Sequence, residues 1–234
     1  MEHPIMFLAV IADQIGGPVA HFAHTYPHIL YSWMIMLILI VLARLATSKI
    51  TMVPKGLQNL FEVVVDLVYN FQMSVMGERS KAFFPLMGTL IIYVFCCNVQ
   101  GLIPGSFAPT SNLNTTLSLA IIIFVLTHVV GVKYHGASYI KHFMGPLPVL
   151  APLMFVIEIV SHLSRLISLS LRLFGNVMGE DLVILILFML AGAYFVPLPM
   201  MFLGLFTGFL QAFIITLLAM IYISEAMGEE EHGH

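Results

Sequence analysis

Residues 158–181 read EIVSHLSRLISLSLRLFGNVMGED, which places arginines and acids inside a long apolar segment. Its polar and small residues recur every three or four positions, so on an α-helix they share one face. At about 1.5 Å per residue this face is about 33 Å long, close to the roughly 30 Å thickness of a bilayer's hydrocarbon core. We call it the polar stripe; its members are Glu158, Ser161, His162, Arg165, Ser168, Arg172, Gly175, Asn176, Gly179 and Glu180.

The composition around the stripe is that of an integral membrane protein. Of 234 residues, 60% are hydrophobic and only 9% are charged, with a formal net charge of -3, whereas soluble domains are about one quarter charged. So few charges of either sign exclude a nucleic-acid-binding surface. Cys96 and Cys97 are adjacent in an apolar run, where they suit packing better than a disulfide or metal site. We therefore expect no metal and no cofactor.

Apolar length predicts an all-α membrane protein with five membrane-embedded helices in a single domain, 1–234. About 20 apolar residues cross a bilayer, and Gly192, Pro197 and Pro199 divide the last apolar region into a long tilted hairpin. The start of the chain lacks the basic region of a cleaved signal peptide, so the first apolar segment is expected to remain as a span. The predicted spans are 29–46, 83–103, 115–132, 149–190 and 199–225.

Residues 57–76 form a different kind of helix, which we expect to lie in the membrane interface. One helical face is apolar and the remainder is polar, the pattern of an interfacial amphipathic helix. The apolar face contains Leu57, Leu60, Phe61, Val64, Val68, Phe71 and Val75, and the polar residues are Gln58, Asn59, Glu62, Asp66 and Asn70.

Basic residues outside the stripe predict the orientation of the chain. Loops 104–114 and 191–199 contain no lysine or arginine, and basic loops stay cytoplasmic. The N-terminus is therefore expected outside, and the acidic tail Glu229–Glu231 inside. The residues expected on the cytoplasmic side are Arg44, Lys49, Lys55, Arg79, Lys81, Lys133 and Lys141.

Arg172 is the residue of the stripe that most needs an explanation. An arginine at mid-membrane costs about 2.5–3.5 kcal/mol on insertion scales, and about 10–17 kcal/mol in simulations of an isolated helix. Arg165 has Glu158 within two turns, and one interpretation is a neutralised pair that serves packing alone. No carboxylate lies three or four positions from Arg172. We therefore expect its counter-charge to come from another helix or another chain.

The last span carries a strip of small residues with an amide. Gly204, Thr207, Gly208, Gln211 and Ile215 share one face, which suits close helix packing. A buried amide in lipid needs a hydrogen-bonding partner, so a hairpin of the last two helices would bring Gln211 to Arg172 or to another part of the polar stripe.

Other functions remain in view at this point. Metal binding by His21, His24 and His28 is disfavoured because Pro27 interrupts their helix and no second histidine cluster completes a site. A secondary transporter or ion channel that works alone, with the stripe as its ion path, is the main alternative, although an internal repeat typical of many transporters is missing.

Several motifs resemble subunit a of the rotary F-type ATP synthase, in the bacterial and chloroplast branch. The resemblance extends over essentially the whole chain. It is carried by Leu171-Arg-Leu-Phe-Gly-Asn176, Ser168-Leu-Ser170, Gly179-Glu180, Leu210-Gln-Ala-Phe213, Pro109-Thr-Ser-Asn-Leu-Asn-Thr-Thr-Leu-Ser118 and the Ser-Glu pair after the last helix.

The resemblance implies a non-catalytic stator subunit in the bacterial plasma membrane. Its partners would be the c-ring subunits, each with one essential carboxylate, the peripheral-stalk b subunits and the rest of the synthase. Arg172 would be the essential cation that faces the ring and separates two offset half-channels. Arginine suits this role because it stays protonated when desolvated, whereas lysine can lose its charge.

The resemblance also implies which residues line each half-channel. The outer half-channel would be lined by Asn176 and Gln211, together with either Glu180 or Asp181. Many relatives place an acid or histidine nine positions after the arginine, which is Asp181 in this chain, whereas the Gly-Glu pairing favours Glu180. Gly204 stands where some relatives have an ionisable residue. Residues nearer the cytoplasmic exit would be Glu158, His162 and Ser168, with His162 suited either to packing or to proton relay.

Overall fold

The computed structural model describes residues 14, 18–48, 50–103, 105–136, 139, 151–191 and 195–228. Within these ranges the chain is helical and contains no strand, so the predicted all-α class is confirmed. The helices are α1 (Pro18–Thr25), α2 (Pro27–Thr47), α3 (Leu57–Met76), α4 (Phe84–Gly101), α5 (Leu113–His135), α6 (Ala151–Ala191) and α7 (Leu198–Met227), with 3-10 turns at Glu78–Phe83 and Pro109–Ser111.

Five helices are long and apolar enough to cross a membrane, as the sequence predicts. They are α2, α4 together with the 3-10 turn before it, α5, α6 and α7. Helix α6 has 41 residues and α7 has 30, and these two form the long C-terminal hairpin. The single-domain interpretation of residues 1–234 stays a prediction. Lys49, Lys141 and the tail Glu229–Glu231 lie outside the described residues.

Local sequence signals set the ends of these helices. Proline stands in the first turn of α2, α4 and α7, where its missing N–H costs no helical hydrogen bond. The Asn112 side chain accepts a hydrogen bond from the Asn114 backbone N–H at 2.9 Å and so caps α5. Gly77 ends α3 at φ 69°, a conformation that favours glycine.

Helix α3 packs against α2, α4 and α7. The Phe71 and Phe213 ring centroids are 4.8 Å apart. The assignment of Gln58 to the polar face is wrong: its side chain is buried and its amide donates to the Thr51 carbonyl at 3.0 Å and the Glu62 carboxylate at 2.7 Å. These local partners satisfy the amide, which lets it pack inward. Leu57 and Leu60 of the predicted apolar face are exposed instead.

The core lies where α4, α5, α6 and α7 meet. Helix α6 contributes Leu169, Leu173 and Val177, which recur every four positions on one side of the helix. Arg172 immediately precedes Leu173, and Asn176 immediately precedes Val177. Both polar side chains are exposed on the surface of the chain. The middle of the polar stripe therefore borders the core and faces outward.

Candidate functional site

The α6–α7 hairpin brings polar side chains together in two places, one on each side of Arg172. We call the group near the hairpin turn the turn-side cluster and the group near the ends of α5 and α7 the basic-end cluster. The turn-side cluster contains Asn176, Glu180, Asp181, Thr207 and Gln211. The basic-end cluster contains His128, Tyr139, Glu158, His162, Arg165, Tyr222 and Glu225.

Two hydrogen bonds join α6 to α7 in the turn-side cluster. The Asn176 amide donates to Gln211 Oε1 at 3.0 Å, and the Thr207 hydroxyl donates to Glu180 Oε2 at 3.0 Å. Gln211 is only 3% exposed, and its amide nitrogen has no partner among the described residues. Because a buried N–H rarely goes unpaired, this nitrogen is a position where water can bind.

Gly204 makes room for the Glu180 carboxylate. A Cβ atom built on Gly204 would overlap Glu180 Oε1, so a larger residue cannot stand there without moving the acid. The family resemblance places an ionisable residue at this position in some relatives. In this chain the acid of α6 occupies that space itself.

Asp181 points to a different neighbour from Glu180. Its Oδ1 atom is 3.1 Å from where a Cβ on Gly101 would lie, and α6 also packs against the 3-10 turn at Pro109–Ser111. Both acids are half-buried. Glu180 therefore faces α7, and Asp181 faces α4 and the 3-10 turn at Pro109–Ser111.

Asn98 supports this region and was not identified from the sequence. Its amide donates to the Gly208 carbonyl at 3.0 Å, and its oxygen accepts from the Thr110 hydroxyl at 2.8 Å. Asn98 and Thr110 are buried. Since Gly208 follows Thr207, this buried amide fixes α7 against α4 at the height of the Glu180 carboxylate. An asparagine inside an apolar span was the available signal.

Arg172 lies between the two clusters and has no counter-ion in the described part of the chain. Its guanidinium makes no ion pair and no hydrogen bond with the described residues, and it is exposed beside Leu171, which is 50% exposed. An arginine that faces lipid without a partner is costly. The counter-charge expected for Arg172 is therefore not supplied by the described part of the chain.

In the basic-end cluster each acid has a basic neighbour. Arg165 Nη1 lies 2.8 Å from Glu225 Oε2, and the guanidinium stands 5.2 Å from the Tyr222 ring centroid. His162 Nε2 lies 3.3 Å from Glu158 Oε1. The interpretation of Arg165 as the partner of Glu158 is wrong, because α7 supplies Glu225 across the hairpin. Glu225 and the preceding Ser224 belong to α7 and do not follow it.

These side chains surround a cavity of about 50 Å³, enough for a few water molecules since one needs about 10–15 Å³. The His128 and His162 ring centroids are 5.1 Å apart across it. Ser168 does not line the cavity and is exposed on α6. The sequence patterns did not identify His128, Tyr222 and Glu225 as site residues. A histidine within an apolar span was the available signal for His128.

His21, His24 and His28 were considered for metal binding in the sequence analysis, and they differ in burial. His21 and His24 are exposed and His28 is buried. Among the described residues, no group of three or more histidine, cysteine, aspartate or glutamate side chains could hold a metal ion.

The sequence matches the family model described as ATP synthase A chain over residues 29–224. Curated proteins similar over their full lengths include ATP synthase subunit a of Desulfosudis oleivorans, 50% identical over 234 residues and 100% of both chains. That of Syntrophobacter fumaroxidans is 50% identical over 244 residues, and that of Citrifermentans bemidjiense is 49% identical over 234 residues, again with 100% of both chains covered.

Proposed function

Because the chain belongs to the ATP synthase A chain family, we propose that it is the stator subunit that carries protons between two half-channels and the carboxylates of the c-ring. It is a multi-pass membrane protein. In this proposal it performs no covalent chemistry and needs no cofactor. Its partners are the c-ring, the peripheral-stalk b subunits and the remaining ATP synthase.

The observation that carries the proposal is the Arg172 guanidinium, which lies between two polar clusters and has no counter-ion among the described residues. A fixed cation favours the ionised form of a ring carboxylate that comes close to it. It also repels a proton that would pass directly from one cluster to the other. A proton must therefore bind to the ring and travel around with it, which couples transport to rotation. One elementary charge that crosses 100 mV supplies about 2.3 kcal/mol.

The turn-side cluster is proposed to line the outer half-channel. The positive-inside rule orients the basic end toward the cytoplasm, so the hairpin turn lies outside and the N-terminus is outside with it. Asn176 and Gln211 supply hydrogen-bonding groups next to Arg172, and Glu180 and Asp181 supply proton-accepting groups farther out. Glu180, with its bond to Thr207 on α7, is the acid on the side that faces Gln211.

The basic-end cluster is proposed to form the cytoplasmic half-channel. Its cavity opens among Glu158, His162 and Arg165, about two to four turns of α6 from Arg172. The exposed Ser168 hydroxyl lies between Arg165 and Arg172 on the polar stripe, where it can hold a water molecule between the cavity and the ring.

The test of the proposal is Arg172→Ala in the assembled complex. ATP-driven proton pumping in inverted vesicles should be lost while the ATPase head stays assembled. Arg79→Ala is the matched control, because Arg79 is exposed at the basic end and lies outside both clusters; it should pump normally. Normal coupled pumping by Arg172→Ala would refute the proposal.

A second measurement separates this function from an independent transporter or channel. The purified chain alone, in liposomes with a proton gradient, should not conduct protons, because the ring carboxylates that carry them are missing. Proton conduction by the lone chain that Arg172→Ala abolishes would establish the alternative.

A further inference from the structure

Two imidazole rings reach the basic-end cavity, and only one of them, that of His162, belongs to the polar stripe. His162 belongs to α6, but His128 comes from α5 and reaches the same cavity. The rings are nearly perpendicular at 74°, with centroids 5.1 Å apart. The charged and titratable groups that face the pair are Glu158 and Arg165 from α6, Tyr222 and Glu225 from α7, and Tyr139 from the segment after α5.

Of the two carboxylates that line the cavity, Glu158 is the one whose basic neighbour is an imidazole. Arg165 is engaged by Glu225 at 2.8 Å, so these two charges cancel. Burial raises the pKa of the Tyr139 phenol, which keeps it neutral. Glu158 then remains, and its nearest basic atom is His162 Nε2 at 3.3 Å. One proton held by the imidazole pair makes the cavity electrically neutral.

The contacts of each ring show how it can take a proton. His128 Nδ1 lies 3.0 Å from the Phe124 carbonyl oxygen, which can only accept, so Nδ1 carries a hydrogen. The second nitrogen of His128 accepts a hydrogen bond when the ring is neutral and donates when it is protonated, so this ring can take a proton without breaking its bond to Phe124. His162 Nε2 lies 3.3 Å from Glu158 Oε1, which becomes an ion pair when the ring is protonated.

We propose that His128 and His162 together form a proton-holding site at the cytoplasmic entrance of the path, a role that rests on the proposed function. Hydronium in the cavity gives its proton to the pair and becomes water. The imidazolium is stabilised by Glu158, and the proton leaves again to water on the way to the ring or the cytoplasm. Because imidazole can both accept and donate a proton, the pair can exchange protons with cytoplasmic water through the cavity.

His128→Gln in the assembled complex tests the site, since glutamine keeps hydrogen-bonding capacity but does not titrate. The measurement is proton conduction through the membrane sector against the pH of the cytoplasmic side. We expect a severalfold loss of conduction and a flattened pH profile. His162→Gln should do the same, and the double variant should be no worse than either single one because the two rings act as one site. His21→Gln, an exposed histidine far from the cavity, is the control.

The outcome that would overturn the inference leaves the proposed function intact. It is a His128→Gln complex whose conduction and pH profile match those of the unsubstituted complex, while Arg172→Ala is inactive. If the substituted complexes do not assemble, the unsubstituted complex can be labelled chemically instead. Diethyl pyrocarbonate acylates neutral imidazole, and mass spectrometry locates the label. Conduction should fall as His128 or His162 is labelled, and unchanged conduction with either ring labelled would also overturn the inference.

Discussion

Gly204→Ala is the substitution whose effect follows most directly from the structure. The added methyl group would take the space that Glu180 Oε1 occupies. The surrounding helix can accept alanine, which even favours helix by about 1 kcal/mol over glycine. The carboxylate must therefore rotate away, and it then loses the hydrogen bond from Thr207, which is 3.0 Å long.

The size of the effect comes from that lost bond. A hydrogen bond to a charged group contributes about 1.5–3 kcal/mol, and about 1.4 kcal/mol corresponds to a factor of ten. Proton exchange through Glu180 should therefore fall by about 10- to 100-fold. The assay is ATP-driven proton pumping in inverted vesicles with matched amounts of assembled complex.

Two further variants make this test specific. Gly88→Ala is the control, because Gly88 is also helical and an added Cβ there lies 4.0 Å from its nearest neighbour, Phe84; it should pump normally. Glu180→Asp in the Gly204→Ala background shortens the acid by one methylene and should restore part of the activity. Equal pumping by Gly204→Ala and Gly88→Ala would show that the carboxylate position does not matter.

Two other predictions concern the contacts that hold α7 in place. Asn98→Leu removes the hydrogen bonds to Gly208 and Thr110 and leaves both of these groups buried without a partner. The free energy of unfolding of the assembled complex should fall by about 1–3 kcal/mol. A thermal unfolding measurement that finds the same stability as in the unsubstituted complex would exclude a role for Asn98 in holding α7. Arg165→Glu should impair pumping by placing two acids together, and Glu225→Arg in the same chain should restore it; failure of the exchanged pair to recover would show that the contact does not orient the hairpin.

The sequence predicted the helices and the polar stripe because both depend on local patterns. Apolar length and three-to-four spacing are properties of a single helix, so 158–181 was sufficient to place Arg172 and Asn176 on one face. The bond from Asn176 to Gln211 follows from the same patterns once a hairpin is assumed.

The pairings across helices could not be predicted in this way. Whether Arg165 meets Glu158 or Glu225 depends on the register of α6 against α7, and Glu225 is 60 residues from Arg165 in the sequence. His128 belongs to a third helix, α5, whose sequence has no polar stripe that would mark this histidine as part of a site. The role of Gly204 was hidden for the same reason, because only the packed hairpin shows that Glu180 fills the space beside it.

The most direct test of the central claim is a structure of the assembled membrane sector with its rotor ring. The Arg172 guanidinium should face the ring within contact distance of a ring carboxylate as it passes, with the turn-side and basic-end clusters on opposite sides of that contact. A structure in which Arg172 points away from the ring, or is bound to an acid of its own chain, would contradict it.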